Sequence, residues 1–220
     1  MTKSEGPRYR RYSSETRGAM LVEAGLACLA RGGITAFTVD NICREANASR
    51  GLITHHFGSK NGLLAAVYAT MYDRFIAEVA PEGQPAPDLV ALVEANFAPS
   101  VFNPDSLRIW LALWGEIANT PALRDVHRQR YLDLLATVER AIATEAATRG
   151  RSLDARAVAV LFVALSDGLW LEQGIDKTML SRDAARDSCY TFFEAFLGPL
   201  DRPETEQDSR PTAVSHPGTP

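Results

Sequence analysis

The sequence predicts an all-α protein of about nine helices. Three observations carry that expectation. Apolar residues recur at three- and four-residue spacing through most of the chain. Between those stretches, Ser, Thr, Asp, Gly and Pro stand where helices start and stop. Strand-type alternation is nearly absent, and no internal repeat of fixed period is visible.

Taken in order, residues 1–13 are polar and rich in Arg and Tyr and are expected to form a flexible basic arm. Ser13 or Ser14 caps a first helix to about Arg31, with Met20, Leu21, Ala24, Ala27, Cys28 and Leu29 on one side. Gly32-Gly33 is expected to end it, because glycine accepts the left-handed conformation past a helix C-terminus. Thr38 caps a short helix through Val39, Ile42, Cys43 and Ala46. After a turn at Asn47-Ala48, Ser49 caps another from Arg50 to about Phe57. Ser59 starts a long helix with Leu63, Leu64, Val67, Met71 and Phe75 at helical spacing. Pro81 to Pro87 reads as a linker. Five further helices are expected at about 88–98, 105–119, 122–148, 153–173 and 182–197. The tail 201–220 holds several prolines, lacks periodicity and reads as disordered. The expected organisation is therefore an arm (1–13), a helix-turn-helix unit (14–58), a connecting helix (59–80), a larger helical unit (81–200) and the tail.

Length and composition narrow the class. A chain of 220 residues with 46% hydrophobic and 23% charged residues buries a sizeable core without staples. No apolar run approaches the roughly 20 residues of a membrane span, and no signal peptide is visible. Cys28, Cys43 and Cys189 are odd in number and scattered, which fits neither a disulfide framework nor metal spacing. The expectation is a cytoplasmic protein that makes no membrane contact. The net charge of −4 argues against nucleic acid only until it is divided. Residues 1–64 hold nine Lys/Arg against five Asp/Glu, while residues 65–220 hold 14 against 22. A basic segment joined to an acidic body hints at nucleic acid.

The informative stretch is Thr38 to Phe57. It is a short helix, a tight turn and a second short helix. Val39, Ile42, Ala46, Leu52, Ile53 and Phe57 would lock the pair together. Arg50, Gly51, Thr54 and His55 would face outward on a helix thin enough for the major groove. Gly51 is poor for helix stability in a first turn and makes sense where backbone approaches something closely. Any short helical hairpin could show this pattern.

The segment Gly51-Leu-Ile-Thr-His-His-Phe57-Gly-Ser-Lys60-Asn-Gly-Leu63-Leu64 resembles the signature of the tetracycline-repressor (TetR) family of bacterial regulators. The first helix through Gly33, with Phe37-Thr38-Val39 and Ile42, is similar to the start of that family's reading domain. Trp110-Leu-Ala-Leu-Trp114, Pro121-Ala-Leu123 and Asp167-Gly-Leu-Trp-Leu171 extend the similarity to its choline-responsive BetI branch, although His56 stands where Tyr is expected. The resemblance implies a regulator, with repression expected, that binds near-palindromic double-stranded operator DNA as a homodimer and answers to a small effector. It implies that Arg50, Gly51 and Thr54 face base edges, and that Thr38, His55, His56 and Lys60 contact phosphates. The bland alternative for His55 and His56 is packing against the neighbouring helix. For Arg8, Arg10 and Arg11 it is a solvated arm.

In the larger half, Trp110 and Trp114 share one helix face, and Trp170 follows Asp167-Gly168. With Phe97, Phe102 and Tyr131 these aromatics are either core or the walls of a pocket. A quaternary ammonium effector, which the resemblance implies, would use the aromatic faces, with Glu116 or Asp167 balancing its charge. Val158, Leu161, Leu165 and Leu169 on one helix, and Cys189, Phe192, Phe193 and Phe196 on the next, form apolar stripes. They are either a dimer surface or a face buried within one chain. Hydrolase elbows, phosphate loops, dinucleotide fingerprints and zinc-protease motifs are missing, so no enzyme, cofactor or metal is expected. The rival function is a ligand-independent helix-turn-helix protein.

Overall fold

A computed structural model describes residues 13–81 and 87–203. The arm short of Ser13, residues 82–86 of the linker, and the tail beyond 203 lie outside the described residues. Among the described residues the elements are nine helices and no strand: α1 (Ser14–Ala36), α2 (Val39–Glu45), α3 (Arg50–Phe57), α4 (Lys60–Val79), α5 (Leu89–Asn96), α6 (Pro104–Ile117), α7 (Pro121–Thr148), α8 (Ala155–Ile175) and α9 (Arg182–Leu197).

Local chemistry sets these boundaries. Ser13, Thr38, Ser59, Asp88, Asn103, Asp154 and Ser181 each accept a hydrogen bond from a backbone N–H of the following first turn. Pro104 and Pro121 open α6 and α7, where a missing N–H does no harm. Gly32 and Gly33 leave the helical path as expected, Gly33 at φ 61°, but one more turn carries α1 on to Ala36. That turn delivers Phe37, which is fully covered, into the core beneath α1.

Helices α1 to α3 close around Leu21, Leu29, Phe37, Ile42 and Ile53, with the start of α4 as the fourth wall. A Cβ at Gly25 would lie 2.8 Å from Val67 Cγ2, so α1 and α4 approach at a distance only glycine allows. A Cβ at Gly62 would lie 2.0 Å from the Phe57 carbonyl oxygen, so the end of α3 rests directly on the first turn of α4. From there α4 runs on to pack against α5 and α7. Helix α6 bridges α1 and α8, and α9 covers α8 and α5.

One expectation needs correction. By length and composition α1 and α8 are apolar enough to cross a membrane, contrary to the sequence reading. The small and charged residues within them hide this from a search for unbroken apolar runs. In the fold, Leu21, Leu26 and Leu29 of α1 and Val158, Phe162, Val163 and Trp170 of α8 lie in the protein core.

Candidate nucleic-acid interface and ligand chamber

The second helix of the hairpin presents its polar side outward. Arg50, Gly51, Thr54 and His55 are exposed, while Ile53 is buried and Leu52 and Phe57 pack against the core. No atom lies within 4 Å of a Cβ built on Gly51, so nothing inside the chain demands glycine there. Arg50 is held in an ion pair with Asp40 of α2, Nη2 to Oδ1 2.6 Å, with both side chains largely in solvent. An exposed pair of this kind contributes only about 0–1 kcal/mol, so the guanidinium is readily redirected. Thr38 is exposed; its Oγ1 accepts from the Asn41 N–H at 3.2 Å, which leaves its own hydroxyl proton to donate. Lys60 is exposed at the start of α4.

The two histidines part company. His55 is exposed, whereas His56 is half-buried beside Phe57, its Nδ1 3.6 Å from where a Cβ on Gly18 of α1 would stand. His56 therefore packs on α1 as well as reaching the surface, in keeping with the packing alternative weighed for it.

The second site is a chamber between α4, α6, α7 and α8. Its walls include Tyr68, Tyr72, Phe75, Trp110, Trp114 and Trp170, with Tyr131 and His127 from α7. Trp110 is the hub, its ring 5.8 Å from Tyr68, 5.7 Å from Tyr72, 6.0 Å from Trp114 and 6.5 Å from Trp170. The buried amide of Asn96 donates to Ser166 Oγ at 2.6 Å and closes one side. Tyr68 and His127 Nδ1 share a hydrogen bond of 2.8 Å that ties α4 to α7. Asp167 is the one carboxylate in the lining. It borders the chamber and its mouth and is exposed to solvent on the outer side, with protein packed against its inner side. Burial pushes its carboxyl up to about 6. Burial also lowers the His127 imidazole below its ordinary value. At neutral pH the lining thus carries a single negative charge inside aromatic walls. The chamber leaves about 60 Å³ open to the centre of a water molecule. At roughly 10–15 Å³ per water, that is room for about four to six waters.

The sequence expectations divide here. Trp110, Trp114, Trp170, Tyr131 and Asp167 are brought together. Glu116 is not in the lining, although it shares the last turn of α6 with Trp114, and Asp167 on α8 is the carboxylate there instead. Phe97 and Phe102 back the chamber, Phe102 stacking edge-on to Trp170 at 5.2 Å. Sequence reading missed Tyr68, Tyr72 and His127. The first two are spaced i, i+4 with Phe75 following at i+7, a face that was legible in principle. His127 carries no local signal, because its partner lies 59 residues away.

On the outer side of α8 and α9, Val160, Leu161 and Phe196 are exposed, with Leu165, Leu169 and Phe192 half-buried beside them, while the exposed Leu171 lies with Asp167 at the mouth of the chamber. Phe193 is different. It is fully covered within the chain, 4.6 Å from the Phe162 ring, so it supports this face from beneath and offers a partner no surface. Cys189 and Val158 are buried in the same way.

The comparisons with known proteins follow this division. Residues 21–67 match the model of the bacterial regulatory proteins of the tetR family, and residues 85–198 match the C-terminal domain of BetI-type transcriptional repressors. The HTH-type transcriptional regulator BetI of Paraburkholderia phymatum is 32% identical over 180 residues, covering 78% of this chain and 88% of that protein. Its counterpart from Burkholderia mallei is 31% identical over 202 residues, covering 84% and 95%. A transcriptional regulator from Pseudomonas aeruginosa PAO1 superposes with a TM-score of 0.75 at 33% identity, covering 86% of this chain and 93% of that one. One from Saccharomonospora viridis, solved in complex with choline, gives 0.67 at 26% identity, covering 83% and 97%. With both domains matched in order, the chain belongs to the TetR family of bacterial transcriptional regulators and carries a BetI-type C-terminal domain.

Proposed function

We propose that the protein is a repressor that binds a near-palindromic operator as a homodimer and is released by a small onium cation, choline or a close relative. The observation that carries the effector class is the chamber: one carboxylate, Asp167, within walls of Tyr and Trp. A cation over an aromatic face gains about 0.5–2 kcal/mol, more when water is excluded, and Asp167 neutralises it. A neutral or anionic ligand of the same size gains nothing from that charge. The choline complex of the S. viridis protein supports the reading. The ligand-independent alternative loses ground, because a space joining all three tryptophans has no use in a purely structural core.

On the DNA side, Arg50, Gly51 and Thr54 read base edges, while Thr38, His55, His56 and Lys60 hold phosphates. The exposure of Arg50, Gly51, Thr54, Thr38, His55 and Lys60 supports this, and Gly51 lets the helix backbone lie close to the groove. Leu161 and Phe196, with Leu165, Leu169 and Phe192 beside them, form the dimer surface, which sets the two recognition helices one helical turn or slightly more apart. Calorimetry of the full chain with choline and with its uncharged carbon isostere tests the effector. Saturable heat is expected with choline alone; none at millimolar choline rules the cation out and leaves the regulator intact.

A further inference from the structure

The chamber opens outward rather than closing on itself. Trp114, His127, Tyr131 and Asp167 line it and also line an outer vestibule, whose other walls include Ile117, Arg124 and Leu171. The two spaces differ in size and in charge. The chamber leaves about 60 Å³ to the centre of a water molecule and the vestibule about 520 Å³. The inner lining has one charged side chain, Asp167, and the vestibule adds Arg124.

Arg124 stands in the first turn of α7, where its Nη2 donates to the Ala118 carbonyl oxygen at 2.7 Å and closes the α6–α7 turn. That bond fixes where the guanidinium stands and leaves its other N–H groups without a hydrogen-bond partner among the described residues. Among the described residues Arg124 makes no ion pair, with Asp167 or with any other carboxylate. A guanidinium fixed at the wall of a ligand entrance, with donors to spare and no ion pair among the described residues, matches a carboxylate.

We infer that the site takes a zwitterion, with a trimethylammonium head in the aromatic chamber and a carboxylate tail on Arg124 in the vestibule. The inference rests on the cation reading of the chamber. A space of four to six waters is filled by the head alone, so whatever is attached to it must extend past the shared walls into the vestibule. Asp167 adds a rule about length. It borders both spaces, so a carboxylate held close to its own ammonium is repelled by it, while a longer spacer carries the carboxylate away towards Arg124.

Calorimetry on the full chain, at a pH of about 7.5, tests this with trimethylammoniobutanoate, the matching trimethylammoniobutanol, and trimethylammonioacetate. The butanoate is expected to bind about tenfold tighter than the butanol, which is about 1.4 kcal/mol. The acetate, with its short spacer, is expected to bind more weakly than the butanoate. In Arg124→Gln the ratio of butanoate to butanol affinity falls to about one. Arg124→Lys, which keeps the charge without the fork, retains part of it. A thermal melt of each variant reports its folding, and the wild-type ratio decides the matter if Arg124→Gln fails to fold. A butanol that binds as tightly as the butanoate in the wild type overturns the inference and leaves the cation chamber standing. A tenfold ratio that survives Arg124→Gln also overturns it. If no probe binds, the chamber reading falls with it.

Discussion

Asp167 carries a charge that its surroundings penalise. Its folded-state pKa, about 6, stands above the unfolded value, so the folded state favours the proton. The charged form therefore weakens the fold as pH rises from the unfolded pKa through about 6, and the penalty is complete at neutral pH. Asp167→Asn is expected to raise the melting temperature at neutral pH only slightly, because water at the chamber mouth screens the exposed carboxylate, while weakening cation binding at least about tenfold. The same titration governs the ligand. Choline affinity should be full above about pH 7 and fall about tenfold per unit below about 6, as Asp167 loses its charge. His127 stays neutral until lower pH and adds repulsion in the same direction when it protonates. Calorimetry at several pH values checks this, and a flat profile would contradict it. On the other site, Arg50→Ala is expected to cost about 1–3 kcal/mol of operator affinity and relax preference at one base step per half-site. Competition binding with operator variants measures both effects. At this scale the sequence told most about the groups whose neighbours lie within a turn. Asp167 and Trp170 are one turn apart, and so are Trp110 and Trp114. Tyr68 and His127 meet only because α4 and α7 pack together, and no spacing encodes that.

Among the helices, α4 links the two sites. Lys60 at its start lies beside the end of α3, and Tyr68, Tyr72 and Phe75 further along form chamber walls. A ligand that presses on those rings therefore presses on the helix that seats the reading head. It moves DNA affinity only as far as it prefers one position of α4 over another. The seat is the contact between Gly62 and the Phe57 carbonyl. Gly62→Ala forces backbone apart at that point. The expected result is a loss of about 1–3 kcal/mol of stability and weaker operator binding, read by thermal melting and gel shift. Lys60→Ala should leave stability alone, weaken binding to all sequences equally and reduce the salt slope by about one. Helix boundaries were well encoded, because caps and breakers are local. Helix α9, expected at about 182–197, spans Arg182–Leu197, capped by Ser181 and stopped at Gly198. The extra turn of α1 past Gly33 was not encoded, since burial of Phe37 draws the chain on beyond a local stop. Helix α8 has two faces. Ser166, Asp167 and Trp170 look into the chamber, while Leu161, Leu165 and Leu169 lie on the opposite side.

For the whole molecule, the net charge of −4 is the sum of a basic reading head and an acidic body. Such a body repels DNA everywhere except where the heads meet it, which favours specific over diffuse binding. Two heads are needed for a palindrome, and in the proposed dimer the exposed Leu161 and Phe196 would join them. The double variant Leu161→Glu, Phe196→Glu should run as a monomer on gel filtration and lose the cooperative binding of two half-sites. A wild-type monomer at micromolar concentration would remove the dimer. The fold class followed from periodicity and from the residues that start and stop helices, but the division of apolar residues between core and exposed surface did not. Phe192, Phe193 and Phe196 look alike in sequence, and only packing against Phe162 sets Phe193 apart. The central claim is that a cation in the chamber controls DNA binding. It is tested most directly by fluorescence anisotropy of a duplex selected by the protein itself, bound to the full chain and titrated with choline. Saturable release is expected from the wild type, with Asp167→Asn needing at least about tenfold more. A wild-type complex that stays intact through millimolar choline would contradict it.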